Sequence, residues 1–407
     1  MSSNQFRNSM EKRIWWQRPS LRTDEEEGRE RSVSWLELFF DLYFVVVIAE
    51  LAHHLTNHIS WSGIGEFIFL FLPVWWIWIG ATYYTERFET EGIEQRLIVF
   101  AQMIPIAGLA VFAHGALGET SVGFALSYAV CRTFHIFLWW RAGRHDRAFR
   151  PISKRFVLGF SVGVGLFYLS VLMPLSVRFW LWGIALLIDM LTPLFTLKQQ
   201  MRLPKLSTSK LPERYGLFMI IVLGESVMGV VAGLAEQKEL SLFVAIAAIL
   251  GITMAFGLWW IYFDFVGRRL FKPGIAATFA WNYLHLPLAI AMTAAGAGVL
   301  NVIAADANGL DYGVGLLIAG AIGSVLITIG LLEMVSRREP DEPTHPVVSP
   351  ALKFVGGAIS FLIGIISHGF NIAVLEGLLL IPISLQMIYG LYVWFSQELE
   401  AESLDVI

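Results

Sequence analysis

Apolar segments of about twenty residues recur along almost the whole chain and leave it few ways to fold. A helix needs roughly 20 apolar residues to cross a hydrocarbon layer about 30 Å thick. Membrane β-strands are shorter, about ten residues, and alternate in polarity. With 56% hydrophobic and only 15% charged residues, the chain is also too apolar for a water-soluble protein. The sequence therefore predicts an all-α polytopic membrane protein in contact with the lipid bilayer.

About twelve transmembrane helices are predicted. They occupy residues 36–57, 64–84, 97–117, 121–140, 156–174, 178–197, 215–235, 241–264, 278–300, 313–334, 352–368 and 372–395. The turn between the last two segments is very short, so a re-entrant pair at that place would change the number of spans.

The distribution of Lys and Arg predicts the topology. Of the 29 such residues, 26 are assigned to one side: they fall in the N-terminal segment, in the loops after even-numbered spans and, for Lys353, at the start of the eleventh span. The opposite side has Arg178 and Lys238, and Arg132 lies inside the fourth span. Because positive residues are retained in the cytoplasm, both termini are expected to be cytoplasmic and the number of spans even. The polar first 34 residues contain no signal region, so we expect an uncleaved protein.

The chain divides into two predicted halves. We expect a cytoplasmic N-terminal segment (1–34), a first six-helix half (35–197), a cytoplasmic connector (198–213), a second six-helix half (214–396) and a cytoplasmic tail (397–407). Four short matches between the halves, in the same order and 175 to 198 residues apart, favour an internal duplication. Two six-helix copies would enter the membrane in the same sense, as a parallel repeat, with the functional site between them.

Ionisable side chains at bilayer depth are costly and are functional candidates by default. Near the predicted midplane lie Glu50, Arg132, His135, Asp189, Glu225 and His285. Three acids thus face one obligate cation. If these side chains converge, the excess carboxylates must be protonated, paired with a charged His, or bound to a cation. Such a cluster could bind and release protons.

The first predicted span is polar on two faces. Glu37 and Asp41 share one face near the cytoplasmic end, whereas Glu50, His53 and His54 lie on roughly the opposite face. We therefore expect this helix to be central. Ser34 precedes Glu37 by three residues, which is the spacing of a helix-capping box. Asp41 has no such explanation and is the better site candidate.

Other features of the sequence point to packing and not to ligands. Gly159 and Gly163, and likewise Gly229 and Gly233, have the four-residue spacing of close helix contacts.

The single cysteine, Cys131, excludes an intrachain disulfide. The sequence has no phosphate-binding loop, nucleotide-binding motif, hydrolase elbow or zinc-protease motif. We predict no metal site, no cofactor, no nucleic-acid partner and no soluble-type enzyme activity.

Two segments resemble the signatures of a known family. Residues 34–45 (SWLELFFDLYFV), continuing to residues 51–55 (LAHHL), resemble the opening signature of the bacterial low temperature requirement protein A (LtrA) family. Residues 213–226 (ERYGLFMIIVLGES) are similar to its second signature, and residues 283–288 (YLHLPL) are a weaker third match. The resemblance implies a multi-pass protein of the bacterial inner membrane, linked by name to growth in the cold. It directs attention to Glu37, Asp41, Glu50, Glu225 and His285, and it implies no substrate.

The excess of buried acid over buried base favours a secondary transporter coupled to protons or another cation, moving an unknown ion or small solute. In this hypothesis Glu50 and Glu225 are the titratable or cation-binding carboxylates. Arg132 is their counter-charge or an anion site, and Asp41 is a gate or relay on the cytoplasmic side. The alternatives are an ion channel and a non-transporting membrane scaffold or sensor linked to low-temperature growth.

Overall fold

The structure is a computed structural model, and it describes residues 17–21, 32–89, 92–204, 206, 209–235, 237, 241–304, 311–338 and 342–405. Within these ranges the chain forms twelve long helices. They are α1 (Trp35–Asn57), α2 (Trp61–Arg87), α3 (Ile93–Ala113), α4 (Ser121–His145), α5 (Arg150–Ser170), α6 (Leu175–Leu191), α7 (Lys210–Ala235), α8 (Leu242–Tyr262), α9 (Ile275–Ala304), α10 (Tyr312–Val335), α11 (Val348–Ile366) and α12 (Ile372–Asp405). Each of the twelve predicted spans overlaps one of them.

Shorter elements extend or connect these helices. A 3-10 turn (Leu194–Thr196) and a short helix (Leu197–Gln200) follow α6, and a π-helical turn (Phe263–Gly267) extends α8. Two two-residue strands, β1 (Ser20–Leu21) and β2 (Phe88–Glu89), pair antiparallel. The sequence did not predict this small sheet, because both strands are too short for a period-two pattern to be visible.

Eleven helices of the described chain, α2 to α12, are long and apolar enough to cross a membrane. The polytopic helical class is therefore confirmed. Helix α1 is not among the eleven, and it carries Glu37, Asp41 and Glu50. That α1 also crosses the bilayer, giving twelve spans with both termini cytoplasmic, stays a prediction, as does the internal repeat.

The chain separates into two compact units. The first comprises Met1–Leu51 and Ile68–Arg214, and the second comprises Ala52–Phe67 and Tyr215–Ile407. In the first unit α4 packs on α3 and α5, and α5 packs on α6. In the second unit α10 packs on α9 and α11, and α12 packs on α8 and α11. The end of α1 and the start of α2 belong to the second unit, where Asn301 donates a hydrogen bond to the Thr56 carbonyl (3.1 Å).

Small residues bring helices of the same unit into close contact, as predicted from the glycine spacing. In the first unit, a Cβ at Gly159 would lie 2.3 Å from Thr192 Oγ1. In the second unit, a Cβ at Gly229 would lie 2.9 Å from the carbonyl oxygen of Gly296. Larger side chains would force these helices apart, because side chains and backbone already fill the space.

Candidate functional site

The first signature segment begins with a capping box at the start of α1. The Ser34 backbone NH and hydroxyl both donate to Glu37 Oε2 at 2.9 Å, and the Glu37 backbone NH donates to Ser34 Oγ at 3.3 Å. The predicted cap is confirmed. It occupies only one of the two carboxylate oxygens of Glu37, so the other oxygen is available to cations.

Two cations at the start of α7 contact that second oxygen. Lys210 Nζ lies 3.0 Å from Glu37 Oε1, and Arg214 Nη1 lies 2.7 Å from the same atom. Lys210 and Arg214 are four residues apart and therefore project from one face of α7. All three side chains are buried: Glu37 is 6%, Lys210 7% and Arg214 1% exposed. The contact joins the beginnings of α1 and α7 within the first unit.

The Arg214 guanidinium continues to Asp41, one helical turn beyond Glu37. Its Nη2 donates to Asp41 Oδ1 at 2.9 Å, and the indole NH of Trp78 on α2 donates to the same oxygen at 3.1 Å. A planar guanidinium can bridge two carboxylates in this way, whereas a lysine ammonium is a point charge. Glu37, Asp41, Lys210 and Arg214, which we call the signature cluster, thus balance two negative charges with two positive charges.

One acceptor of the signature cluster is left over. Within the described part of the chain, Asp41 Oδ2 has no hydrogen-bond partner although Asp41 is 1% exposed. Arg214 Nε is likewise buried without a hydrogen-bond acceptor there. An unsatisfied buried polar atom costs about 1–3 kcal/mol. A proton or a polar donor at Asp41 Oδ2, and a polar acceptor at Arg214 Nε, would remove that cost.

A second buried ion pair lies elsewhere in the first unit. Arg132 of α4 contacts Asp189 of α6 through Nη2 (3.1 Å) and Nε (3.2 Å), and the Tyr128 hydroxyl donates to the same Asp189 oxygen (3.0 Å). His135 lies 3.4 Å from Arg132 through Nδ1, and the Phe160 ring lies under the guanidinium. The sequence predicted Arg132 to be a counter-charge for Glu50 and Glu225 or an anion site; the structure pairs it with Asp189 and places His135 beside it.

The close approach of Gly163 to this ion pair predicts the effect of adding one methyl group there. A Cβ at Gly163 on α5 would lie 2.4 Å from Asp189 Oδ1. Arg132 and Tyr128 hold the other oxygen of that carboxylate, Oδ2, so the group cannot easily move away. We therefore expect Gly163→Ala to lower the free energy of unfolding by about 1–3 kcal/mol, the usual range for overpacking. Gly165 on the same helix has nothing within 4 Å of a built Cβ.

The matched variant Gly165→Ala should be neutral or should raise stability by up to about 1 kcal/mol, because Ala is the better helix former. Thermal unfolding of both variants in one detergent is the measurement. Equal stability of the two variants would contradict the close packing of α5 against Asp189.

His285 of α9 is enclosed by aromatic side chains of the second unit. Its Nδ1 lies 2.7 Å from the Trp281 carbonyl oxygen, and its Nε2 lies 3.3 Å from the Tyr262 hydroxyl. The Tyr215 and Trp281 rings lie 4.5 Å and 4.3 Å from the imidazole, centre to centre. His285 is fully buried, and both of its ring nitrogens already have protein partners.

The remaining candidates are more exposed or have local partners. Glu50 in the first unit and Glu225 in the second are both half-buried. His54 is buried and its Nε2 lies 3.3 Å from Glu66, whereas His53 is exposed and contacts Asn57 (3.1 Å). Because Glu50 and Glu225 fall in different units, their convergence stays a prediction.

A third ion-pair network, in the second unit, was missed by sequence reasoning. Glu333 at the end of α10 accepts from Arg269 Nη1 (3.2 Å), Lys353 Nζ (3.0 Å) and Ser349 Oγ (3.0 Å). Arg269 also contacts Glu342 at 2.7 Å. The side chains of Glu333 and Lys353 are both 0% exposed. Lys353 had been counted among the cytoplasmic charges, because hydropathy alone does not show that it turns inward.

The structure adds further residues to the site list. Lys210 and Arg214 of the signature cluster, and Trp78, which donates to Asp41, were not among the predicted site residues. The four-residue spacing of Lys210 and Arg214, matching that of Glu37 and Asp41, was the available signal.

Eleven apolar helices, with charged side chains buried in ion pairs between them, define a polytopic helical membrane protein. The chain belongs to the bacterial low temperature requirement A protein (LtrA) family, whose sequence model matches residues 32–381. The signature cluster lies within this range.

An uncharacterised protein of Rhizobium meliloti (strain 1021) is 26% identical over 280 residues, which is 65% of this chain and 68% of that protein. No solved structure matches the chain. The comparisons thus establish the family and leave the activity to be inferred from the residues.

Proposed function

We propose that this protein is a secondary transporter of the bacterial inner membrane, coupled to protons or another cation, with both termini in the cytoplasm. It is not an enzyme in this proposal. Glu50 and Glu225 are the titratable or cation-binding carboxylates, and Asp41 is a relay near the cytoplasmic end of α1. Arg132 is held by Asp189 in this structure, and its role as a counter-charge for Glu50 and Glu225 stays a prediction.

The observation that carries the proposal is the asymmetry of Asp41. One carboxylate oxygen accepts from Arg214 and Trp78, and the other is buried without a partner among the described residues. A side chain with only a structural role gains nothing from an unsatisfied oxygen at this depth. The free oxygen is the position at which a proton from water would bind.

Protonation of Asp41 would weaken the contact between α1 and the start of α7. It removes the negative charge opposite Arg214 Nη2, while Glu37 continues to hold Nη1. The guanidinium would then keep one carboxylate partner in place of two. A contact that depends on one proton is a suitable gate, because binding and release of that proton shift the populations of two packings.

The experiment is a proteoliposome screen with a pH-sensitive dye inside the vesicles and one candidate ion or solute at a time outside. If a solute moves with protons, Glu50→Gln, Glu225→Gln and Asp41→Asn should each reduce that flux about tenfold or more, equivalent to about 1.4 kcal/mol at the rate-limiting barrier. Glu119→Gln is the matched control, because Glu119 is exposed and undergoes the same chemical change.

Unchanged flux in Glu50→Gln and Glu225→Gln would contradict the assigned carboxylates. Unitary currents in planar bilayers would identify a channel instead. Absence of flux and current under every gradient would favour a scaffold or sensor.

A further inference from the structure

Glu376 is a buried acid that none of the preceding sites uses. It lies in the second turn of α12 and is 0% exposed. Both of its carboxyl oxygens lack a hydrogen-bond partner within the described residues. The other buried carboxylates discussed above are each contacted by at least one cation; they are Glu37, Asp41, Asp189 and Glu333. Glu376 therefore differs from them, because no cation is in ion-pair contact with it among the described residues.

The Gly251 side of the Glu376 carboxyl group is apolar. A Cβ built at Gly251 of α8 would lie 3.6 Å from Glu376 Oε1, 2.8 Å from Val299 Cγ1 and 3.4 Å from Val230 Cγ2. The carboxyl group thus lies beside a glycine, where α8 leaves space for it, and near valines of α7 and α9. All of these residues belong to the second unit.

The titratable side chains of the neighbouring helices lie at other positions along the helix axes than the Glu376 carboxyl group. On α8 the titratable side chain is Tyr262, 11 residues from Gly251, which is about 16 Å along a helix axis. On α11 it is Lys353, which is already paired with Glu333 of α10. That pair lies toward the Gln386 end of α12, since a Cβ at Gly356 would lie 3.1 Å from Gln386 Nε2.

On α7 and α9 the titratable side chains closest in sequence to these valines are Glu225 and His285. Glu225 precedes Val230 by five residues, about 7.5 Å along the axis of α7. His285 precedes Val299 by 14 residues, about 21 Å along α9, and its ring nitrogens contact Trp281 and Tyr262. No cation is in ion-pair contact with Glu376 among the described residues.

We propose that Glu376 is a proton-binding site, neutral in this packing of α8 against α12 and ionised when water reaches the Gly251 side of the carboxyl group. An unpaired carboxylate in apolar surroundings costs far more than the neutral acid, so the closed packing selects the protonated form. On opening, the O–H bond breaks, water takes the proton as hydronium, and the electron pair stays on the carboxylate, which is then hydrated.

The chemistry favours a proton over a metal ion. Hard cations need about six oxygen ligands, and the Gly251 side of Glu376 has valine and glycine instead. The described residues contain no group of three His, Cys, Asp or Glu that could hold a metal ion. This assignment deepens the proposed function, on which it rests, by naming the coupling ion as the proton.

The direct test is labelling of the full chain, reconstituted in lipid, with dicyclohexylcarbodiimide. This apolar reagent reacts with protonated carboxyl groups, and mass spectrometry of the Glu376 peptide measures the product. Labelling should be strong at low pH and should fall about tenfold per pH unit beyond the titration midpoint. The label should be absent from that peptide in Glu376→Gln, and Glu376→Asp should restore part of it. The Glu333 peptide, whose acid is ion-paired, is the internal control.

An unlabelled Glu376 peptide at low pH, or labelling that does not change with pH, would overturn the site. Labelling reports the protonation of the Glu376 carboxyl group directly and does not depend on solute flux. If Glu376 titrates but the wild-type protein moves no solute, the transport proposal fails and the proton site stands. If the wild type couples a solute to protons and Glu376→Gln does so equally, the site fails as the coupling residue and the transport proposal stands.

Discussion

Replacing Arg214 by Gln is expected to destabilise the protein by about 3–5 kcal/mol, because it leaves two buried carboxylates, Glu37 and Asp41, with one remaining cation, Lys210. The measurement is thermal unfolding of purified protein in one detergent. Arg214→Lys should be intermediate, since an ammonium keeps the charge but cannot reach both carboxylates as a planar fork does.

The control for this prediction is Arg202→Gln, which removes an equally charged but exposed side chain between α6 and α7. It should change stability by less than about 0.5 kcal/mol. The double variant Asp41→Asn with Arg214→Gln should lose less stability than the sum of the two single variants, because the residues contact each other. Additive losses, or an Arg214→Gln variant as stable as the wild type, would show that the bridge does not stabilise the fold.

Replacing Glu333 by Gln is expected to have a comparable effect in the second unit. Its carboxylate is the common partner of Arg269 and Lys353, and both cations are buried, at 3% and 0% side-chain exposure. Without it, Arg269 keeps Glu342, whereas Lys353 keeps the Ser349 hydroxyl and its contact with the Phe265 ring. We expect a loss of about 3–5 kcal/mol, seen as a lower unfolding temperature.

A double-mutant cycle separates this interaction from general damage to the helix ends. Lys353→Met alone leaves Glu333 with Arg269 and should be less damaging than Glu333→Gln. The two substitutions together should cost less than their sum, because the second removes a charge that the first has left unpaired. An additive result would mean that Lys353 and Glu333 do not stabilise each other.

The helices of this protein were predictable from the sequence because each apolar segment is long enough to span the bilayer and must satisfy its own backbone hydrogen bonds. The capping box was predictable for a related reason, since Ser34 and Glu37 interact within one helical turn. The Arg132 pair was anticipated in kind, because an obligate cation at this depth needs an acid. Its partner, Asp189, was among the candidates.

The partners that sequence reasoning missed come from distant segments. Arg214 is 173 residues from Asp41, and Glu333 is 64 residues from Arg269. Hydropathy assigns such cations to loops, because it does not show which way a residue at a helix end points. The sequence did not single out Glu376 for a different reason. One acid within a long apolar helix leaves the hydropathy pattern almost unchanged, and its isolation is visible only in three dimensions.

The central claim, that this LtrA family member couples a solute to a cation gradient, is tested most directly in vesicles containing the wild-type chain and an internal pH dye. The account predicts that at least one external ion or solute changes the internal pH. That change should be absent from protein-free vesicles, and a protonophore should abolish it. No pH change and no uptake of any ion or solute, under imposed gradients of either direction, would contradict it.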